Sequence, residues 1–467
     1  MRGIIAYGAY LPFNRMDRSE ITKALGAGGG RGTRAVASYD EDTTTMGAEA
    51  ARLALKSTDA SPGAVLFSTA DPAYLDKTNA TAIQAALDLS DDVMAVDMNG
   101  STRSWIGAMA AGLNWNGAAL TIGSDIRTGM PSGSDEASGG DGAVAIVVGS
   151  DDGGPLIAEY IGGSSSTREF IDRWRTPGER FSKVWEERYG ENAYLPMVED
   201  AVKRAYHAAD LTPEQVDHVV LAGLHARAKR GAPKFIGVDP SKYVDTLDNE
   251  VGNVGSAQAG LGLAAALDVA EPGQVILVVH LGDGVDVGLF RTTDAIAGYT
   301  PASSVADQVA GGSVGLSYTN FLTWRGYLDR EPPRRPEPDR PGAPPAGRSE
   351  DWKYGFIGSK DRSSGAIHLP PTRVSVVGGA VDEMDAIRMA DVPATIATFT
   401  IDRLAYSLNP PMVAAVIDFD GGGRFQCEMT DVDPDSVAIG DRVEMTFRRL
   451  FTADGIHNYF WKARPAS

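Results

Sequence analysis

The chain contains a single cysteine, Cys427, in 467 residues. One cysteine excludes an intrachain disulfide and a structural zinc site built from four cysteine thiolates. Basic side chains are also scarce, since 43 Lys and Arg stand against 62 Asp and Glu and leave a formal net charge of −19. This excess of negative charge argues against nucleic acid or an anionic membrane surface as a partner.

Long apolar runs are missing as well. No stretch of about 18 apolar residues occurs, so we expect no membrane-spanning helix. The first residues, MRGIIAYGAYLPFNRMDRSE, lack the apolar core of a signal peptide. The sequence therefore predicts a cytoplasmic protein. Its length and a hydrophobic content of 43% predict two or three domains with substantial cores.

One segment cannot take part in a core. Residues 330–352, REPPRRPEPDRPGAPPAGRSEDW, are rich in proline and almost free of apolar side chains. Such a composition favours extended, polyproline-like backbone. We therefore predict a proline-rich linker at 330–352 between one domain at 1–329 and another at 353–467.

The first of these domains contains a repeated order of patterns. GAVLFSTAD (63–71) is similar to DHVVLAGLH (217–225), NGSTRSWIGAMAAGLN (99–114) to GNVGSAQAGLGLAAALD (252–268), and SGGDGAVAIVVGS (138–150) to HLGDGVDVGLFRT (280–292). The three pairs occur in the same order at similar intervals, which predicts an internal duplication with halves at about 1–160 and 195–295.

Strands that alternate with helices in each half predict parallel βαβ units and an α/β fold. The Ala- and Gly-rich helices fit best between two sheets, which predicts five layers, α-β-α-β-α. The region after the linker differs. PATIATFTIDRL, PMVAAVIDFD, RFQCEMTDV and DRVEMTFRRL are short alternating segments bounded by Pro, Gly and Asp. They predict a small all-β barrel.

The residues of the first domain resemble a known superfamily. YGAYLP (7–12), SYDEDTTTMGAEAARLAL (38–55), EVGNVGSAQAGLGLAAAL (250–267) and LGDGVDVGLF (281–290) are similar to segments of 3-hydroxy-3-methylglutaryl-CoA synthases and ketoacyl synthase III enzymes, within the thiolase superfamily. The resemblance implies a duplicated five-layer fold, a CoA thioester as substrate, no covalently bound cofactor, and a homodimer.

The C-terminal domain resembles the DUF35-type module, a zinc ribbon followed by an oligonucleotide-binding (OB) fold, that accompanies thiolase-like proteins. Where that family carries its ribbon cysteines, this chain has Asp361, Ser364, Val374 or Ser375, and Val377. No thiolate remains there, so we expect no zinc. The resemblance also implies a separate thiolase subunit as an alternative partner.

A strand-to-helix elbow follows Asp97 in DMNGSTRSW. In the family this elbow carries the cysteine that becomes acylated, and the resemblance places Thr102 at that position, beside Ser101. A threonine hydroxyl needs a strong adjacent base, and its β-branch crowds the approach. We therefore expect the elbow to orient substrate through its helix N-terminus without becoming acylated.

The resemblance implies three further catalytic candidates. Asn253 lies in the GN turn that presents the family's asparagine. Either Ala222 or His225 occupies the family's histidine position, depending on a gap. The synthase glutamate falls near Ala70, which makes the neighbouring Asp71 a candidate.

Coenzyme A binding is predicted at two places. A basic cluster in an acidic chain, at Arg227, Lys229, Arg230 and Lys234, fits the phosphates of CoA. The glycine loop at Gly282 and Gly284 is the second. The resemblance implies that the charged and aromatic segment 173–190 is either an amphipathic cap over the substrate tunnel or a dimer surface.

Three functions stay open at this point. The first is aldol-type C–C bond formation or cleavage on a CoA thioester, which needs an oxyanion site and a general base or acid but no nucleophile. The second is a non-catalytic subunit that binds CoA and completes the active site of a partner thiolase. The third is a conventional acyltransferase that uses Thr102 or Ser101.

Overall fold

The structure, a computed structural model, describes residues 1–334, 336 and 338–466. Arg335 and Glu337 of the predicted linker, and Ser467 of the predicted C-terminal domain, lie outside the described residues. The chain forms two compact units: the first comprises Met1–Ala37, Glu49–Thr81 and Asp91–Tyr318, and the second Ser38–Ala48, Ala82–Ser90 and Thr319–Ser467. The boundaries at 329 and 352, and those of the two halves, stay predictions.

Helices occur along most of the chain. In chain order they are α1 (Ser19–Leu25), α2 (Thr43–Lys56), α3 (Ala80–Ala86), α4 (Ser104–Leu113), α5 (Ser134–Ser138), α6 (Glu187–Ala209), α7 (Ala226–Gly231), α8 (Pro233–Ile236), α9 (Gln258–Val269), α10 (Val305–Ala310), α11 (Tyr318–Trp324) and α12 (Ala343–Arg348). The predicted linker thus contains one short helix, α12. Among the described residues, no helix combines the length and the apolar character needed to cross a membrane.

The strands of the first unit are β1 (Arg2–Tyr10), β2 (Asn14–Asp17), β3 (Thr33–Val36), β4 (Pro62–Ser68), β5 (Met94–Asp97), β6 (Ala118–Ile126), β7 (Asp141–Ser150), β8 (Ala158–Ser166), β9 (Arg173–Trp174), β10 (Lys183–Val184), β11 (His218–Gly223), β12 (Val275–Leu281), β13 (Val285–Thr292) and β14 (Ser313–Val314). Those of the second unit are β15 (Ile357–Asp361), β16 (Ile367–His368), β17 (Met384–Arg388), β18 (Ala394–Asp402), β19 (Met412–Phe419), β20 (Arg424–Met429), β21 (Arg442–Ala453) and β22 (Ile456–Pro465).

Nine strands of the first unit form one sheet, in the order β11-β12-β13-β8-β1-β7-β6-β4-β5. The two sides of the β8–β1 junction repeat one pattern. On one side, β4 and β6 are parallel while β6, β7 and β1 are antiparallel. On the other, β11 and β12 are parallel while β12, β13 and β8 are antiparallel. The three sequence repeats therefore correspond to β4 and β11, α4 and α9, and β7 and β13.

The repeat is incomplete at one edge. Strand β5 lies parallel to β4 at the edge of the first half. In the second half the same place beside β11 holds only an isolated parallel bridge between Val219 and Tyr243. The second half therefore retains four full strands and a remnant of the fifth.

Helices α4 and α9 lie between the halves, as their small side chains predict. A Cβ at Gly260 of α9 would lie 2.5 Å from Val144 and 2.8 Å from Trp105, so only glycine permits this close approach. One apolar core surrounds the two helices and takes side chains from both halves of the sheet, among them Ile146 and Val278. Helix α6 covers the outer face of the second half in a separate core. The layered α/β fold expected from the sequence is confirmed.

The second unit contains the predicted small barrel. Five strands close it in the order β18-β19-β20-β22-β21. The four segments singled out from the sequence are β18 to β21, whereas the sequence analysis missed β22 (Ile456–Pro465). Ahead of the barrel, β16, β15 and β17 form a three-stranded antiparallel sheet at the position of the predicted ribbon.

Candidate functional site

A cavity of about 520 Å³ opens at the carboxyl ends of the parallel strands of the first unit. Loops that follow β4, β5, β11 and β12 form its wall, which is where α/β sheets usually bind ligands. The structure brings five of the predicted site residues to this wall: Asp71, Ser101, Thr102, His225 and Gly282. It also brings the predicted cap there, because residues 173–179 and Ser182 line the cavity.

The elbow is held in place by Asp97 at the end of β5. Its carboxylate accepts hydrogen bonds from the backbone N–H groups of Asn79 and Ala80, each at 2.8 Å, and from the side-chain amide of Asn99 at 3.2 Å. Helix α4 then begins at Ser104. These bonds connect the end of β5 and the turn after it to the start of α3, and Thr102 of this turn lines the cavity.

Thr102 has two polar groups at this wall. Within the described part of the chain, neither its backbone N–H nor its hydroxyl forms a hydrogen bond. The Ser101 hydroxyl, by contrast, accepts a bond of 3.3 Å from the N–H of Arg103. The free N–H of Thr102, at the start of a helix, is a donor that could stabilise a developing oxyanion.

His225 lies at the end of β11 and is 6% exposed. Its Nδ1 accepts a hydrogen bond of 3.0 Å from the N–H of Ala228. An accepting Nδ1 carries no proton, so in the neutral ring the proton lies on Nε2. This Nε2 has no hydrogen-bond partner among the described residues and lies 3.9 Å from Asp172 Oδ1. Neutral His225 is therefore a hydrogen-bond donor rather than a base, and its Nε2 is buried next to Gly190 of α6.

The cavity wall also carries the carboxyl groups of Asp71 and Asp283. Partial burial raises the pKa of Asp71, whose side chain is still 42% exposed. Arg175, whose guanidinium is 3.4 Å away, and Arg127 act in the opposite direction and lower that pKa. Burial likewise raises the pKa of Asp283, helped by the charge of Asp172. Carboxylates with raised pKa values are more effective general bases near neutral pH.

A second histidine lies just behind the wall. His280 is 1% exposed, and neither ring nitrogen has a partner among the described residues. A Cβ at Gly282 would lie 2.8 Å from His280 Nε2 and 3.1 Å from Thr102 Oγ1. Glycine at this position therefore leaves room between the two side chains. Burial lowers the pKa of His280 to about 4, so the ring is neutral at pH 7.

The remaining predicted site residues lie outside the cavity wall. Both ends of the Asn253 amide bind backbone, since Nδ2 donates to Gly223 O and Oδ1 accepts from the N–H of Gly255, each at 3.0 Å. In the structure, Asn253 therefore holds its own turn against the end of β11. Gly284, in the loop after β12, has a φ of +143° and lies beside Arg103.

The basic segment is also away from the wall. Arg227 pairs with Glu191 at 3.2 Å, and Lys229 with Asp248 at 3.8 Å. The side chains of Arg230 and Lys234 are exposed. Their roles in CoA binding stay predictions.

Sequence reasoning missed part of the wall. Arg127, at the end of β6, and the cap residues Arg173 and Arg175 all line the cavity, as does Tyr194 of α6, whose hydroxyl donates to Asp172 at 3.1 Å. The only local signal was the high charge of the segment 173–190. Nothing around Arg127 in the sequence indicates that its side chain lies beside these residues.

Comparison with known proteins identifies the first unit. Hydroxymethylglutaryl-CoA synthase of Methanopyrus kandleri is 30% identical over 344 residues, which cover 70% of this chain and 97% of that protein. The chain belongs to the hydroxymethylglutaryl-CoA synthase family. The synthase of Pyrococcus furiosus is likewise 30% identical, over 298 residues that cover 62% of this chain and 85% of its own length.

Matches to family profiles and solved structures agree with this assignment. The C-terminal part of 3-oxoacyl-[acyl-carrier-protein] synthase III matches residues 206–290. An HMG-CoA synthase crystallised with CoA superposes with a TM-score of 0.59 at 17% identity, over 69% of this chain and 89% of that one. Synthase III from Pseudomonas aeruginosa gives 0.55 at 18% identity, over 62% of this chain and 98% of that one. The resemblance of the first domain to the thiolase superfamily is confirmed.

The C-terminal part of the chain matches a different protein family. Residues 387–448 match the C-terminal OB-fold domain of ChsH2. The expected fusion of a thiolase-like domain with an OB-fold domain is therefore confirmed.

The ribbon ahead of that OB fold does not fit zinc. The former ligand positions do meet in space, but Asp361 accepts hydrogen bonds from the hydroxyls of Ser364 and Ser375 and from the N–H of Ser363. His368 Nε2 accepts a bond of 3.1 Å from the N–H of Val376. Neutral hydroxyls and one occupied carboxylate cannot replace four thiolates.

Proposed function

We propose that this chain binds an acyl-CoA thioester in the cavity and forms or cleaves a C–C bond by aldol-type chemistry, without an acyl-enzyme. The observation that carries the proposal is that Thr102 and His225 line the same cavity as Asp71. The Thr102 backbone N–H and His225 Nε2 have no hydrogen-bond partner among the described residues. Kinship with hydroxymethylglutaryl-CoA synthases supports the CoA thioester as substrate. The two exposed cations Arg230 and Lys234 are proposed to meet the phosphates of CoA.

In the cleavage direction, the Asp71 carboxylate takes the proton of a β-hydroxyl group on the acyl chain. The bond between the α and β carbons breaks, and its electron pair forms the enolate of the shortened thioester. The β carbon leaves as a ketone or aldehyde. The N–H groups of Thr102 and His225 stabilise the enolate oxygen, and the proton on Asp71 then returns to the α carbon. Formation runs through the same steps in reverse.

Enolate formation can be tested without knowing the second substrate. Incubation of the protein with acetyl-CoA in D₂O should exchange the α hydrogens for deuterium, as measured by mass spectrometry of the thioester. Asp71→Asn should abolish the exchange because it removes the base. His225→Ala should slow it by about 10²- to 10³-fold because it removes one oxyanion donor. Exchange that continues unchanged in Asp71→Asn would exclude Asp71 as the base.

One observation favours the acyltransferase alternative as a second candidate. Thr102 Oγ1 and His280 Nε2 both lie about 3 Å from the Cβ position of Gly282. A neutral imidazole at that place could take the hydroxyl proton. In this mechanism the threonine oxygen attacks the thioester carbonyl and CoA thiolate leaves with the proton from His280. A stable acetyl adduct on Thr102 or Ser101 would support it.

We further propose a cytoplasmic homodimer with no resident cofactor and no zinc, in which a separate thiolase subunit is the alternative partner. The single cysteine fits a reducing compartment. Light scattering at micromolar concentration should give twice the chain mass. A monomer would contradict the homodimer. Co-purification with a thiolase that is required for activity would favour the non-catalytic role.

A further inference from the structure

Three arginines line the cavity, and two of them are neutralised by neighbours. Arg173 forms a two-pronged ion pair with Asp135. Arg175 lies 3.4 Å from Asp71 Oδ1 and also donates to the carbonyl of Ala70. Their charges are therefore largely balanced by the protein itself.

Arg127 differs from both. Among the described residues, its guanidinium has no hydrogen-bond partner and no carboxylate within 4 Å. The side chain is half-buried, follows directly after β6, and lines the cavity. An arginine is always charged at physiological pH, so this position holds a partly buried positive charge with no carboxylate within 4 Å among the described residues.

Two carboxylates whose charges act on Arg127 are already hydrogen-bonded to other groups. Asp125 uses Oδ1 for the Thr69 hydroxyl, at 2.9 Å, and for the N–H of Ala70, at 2.7 Å. Its Oδ2 accepts the N–H of Ser256 at 2.7 Å. Asp135 is taken by Arg173. These bonds hold both carboxylates in place. A third carboxylate, Asp71, whose pKa the charge of Arg127 lowers, already lies 3.4 Å from Arg175. Arg127 is therefore open to an anion from outside the chain.

A half-buried charge without a partner is unfavourable, and an anion that supplies two oxygens in one plane is its best complement. Burial lowers the pKa of Arg127, whereas the charges of Asp125 and Asp135 raise it. This direction agrees with an unfavourable environment for the cation in the free protein.

We propose that Arg127 is an anion subsite of the cavity, which binds a carboxylate carried by the acyl chain of the substrate, distal to the thioester. This inference rests on the proposed function, since it specifies which thioesters that site accepts. The subsite shares its cavity with Thr102 and His225, and we assign to it the acyl chain beyond the reacting carbons. The other anionic part of such a substrate is the phosphate groups of CoA, which give the competing assignment.

The test compares acyl chains that differ only at their far end. Succinyl-, glutaryl- and adipoyl-CoA carry a terminal carboxylate, whereas butyryl-, pentanoyl- and hexanoyl-CoA carry a methyl group. Calorimetric titration of the intact chain should show at least one carboxylate-bearing member bound about 10-fold or more tightly than its methyl counterpart. The substitution Arg127→Gln should remove that preference and leave affinity for the methyl series unchanged.

Two variants serve as controls. Arg127→Lys keeps the charge without the planar pair of donors and should retain part of the preference. Arg31→Gln removes an exposed arginine that does not line the cavity and should change neither series. Thermal unfolding of each variant shows whether the fold is intact.

Three other outcomes would contradict either the carboxylate subsite or the proposed function. Equal affinity of the wild type for both series overturns the carboxylate subsite and leaves the proposed function standing. Loss of free CoA binding in Arg127→Gln, to the same extent as loss of the acyl-CoAs, assigns Arg127 to a phosphate instead. If the wild type binds no acyl-CoA of either series, the proposed function fails and the subsite fails with it.

Discussion

Lys462 Nζ lies 2.9 Å from Asp40 Oδ2 within the second unit, and neither side chain is more than 1% exposed. Arg448, also fully buried, adds a 3.0 Å ion pair with Glu41. Burial by itself would raise the pKa of Asp40, but the charges of Lys462 and Arg448 hold that pKa below its ordinary value. The segment Ser38–Ala48 is thus joined to barrel strands β21 and β22 by buried charge pairs.

Removing one member of the buried pair of Lys462 and Asp40 should lower the stability of the folded chain. Lys462→Met leaves Asp40 with one fewer counter-charge in a buried site, and we expect a loss of about 3 to 5 kcal/mol in the free energy of unfolding. The double variant Asp40→Asn with Lys462→Met should recover part of that loss, because no isolated charge remains. Urea unfolding measures both.

The exposed pair of Arg373 and Asp382 offers the matched control, and Asp382→Asn should leave the unfolding midpoint unchanged. A Lys462→Met variant as stable as the wild type would show that the buried pair contributes little.

The substitution Thr102→Ala should change the stability and the exchange activity of the chain only slightly. The threonine hydroxyl has no hydrogen bond to lose within the described residues, so the loss of stability should not exceed about 1 kcal/mol. The backbone N–H, which has no hydrogen-bond partner among the described residues, remains in the variant. The α-hydrogen exchange of acetyl-CoA should therefore stay within about 3-fold of the wild type if this N–H acts as an oxyanion donor. Intact-protein mass spectrometry after incubation with acetyl-CoA provides the independent check. An acetyl group mapped to Thr102 or Ser101 would establish the covalent mechanism instead.

The ribbon should be stable without metal and sensitive to acid. Hydrogen bonds from Ser364, Ser375 and the N–H of Ser363 lower the pKa of Asp361 in the folded chain. A lowered pKa means that the stabilisation is fully present above the ordinary value of about 4 and is lost as the pH falls through the folded value. Asp361→Asn should therefore flatten the dependence of unfolding on pH below about pH 4. Elemental analysis should find no stoichiometric zinc, and one tightly held zinc per chain would contradict this prediction.

Cys427 should be inert in the folded chain. The thiol is 9% exposed, and burial raises its pKa to about 12. Since the thiolate is the reactive form, a chromogenic disulfide reagent at pH 8 should label Cys427 far more slowly in the native protein than in urea. Equal rates under both conditions would show that β20 opens readily.

The four basic residues of segment 227–234 should differ in their contribution to CoA binding. Arg230 and Lys234 have exposed side chains, whereas Arg227 and Lys229 already pair with carboxylates. The double variant Arg230→Ala with Lys234→Ala should weaken acyl-CoA binding and reduce its dependence on salt, because fewer cations then meet the phosphates. Calorimetry at two ionic strengths measures both quantities. An unchanged affinity would place the CoA phosphates elsewhere.

Local pattern was enough to predict most of the fold. The duplicated order of strands and central helices could be read from 63–71, 99–114 and 138–150 and their counterparts, because each short segment carries its own burial pattern. Four of the five barrel strands were visible for the same reason. Strand β22 was not, because its inner and outer positions do not alternate cleanly in GIHNYFWKARP.

The sequence by itself also determined that the elbow carries no cysteine, since Cys427 is the single cysteine of the chain. The resemblance implies that Thr102 stands at the family's cysteine position. The tertiary structure alone decided the rest of the site. It showed that His225 presents a donor, because a backbone N–H 3 residues further on occupies the other ring nitrogen. It placed Asn253 in backbone contacts rather than at the cavity wall. It brought Arg127, Arg173 and Asp71 together from different loops and joined Asp40 to Lys462. Contacts between residues this far apart in the chain depend on how sheets and loops pack, and no local periodicity records them.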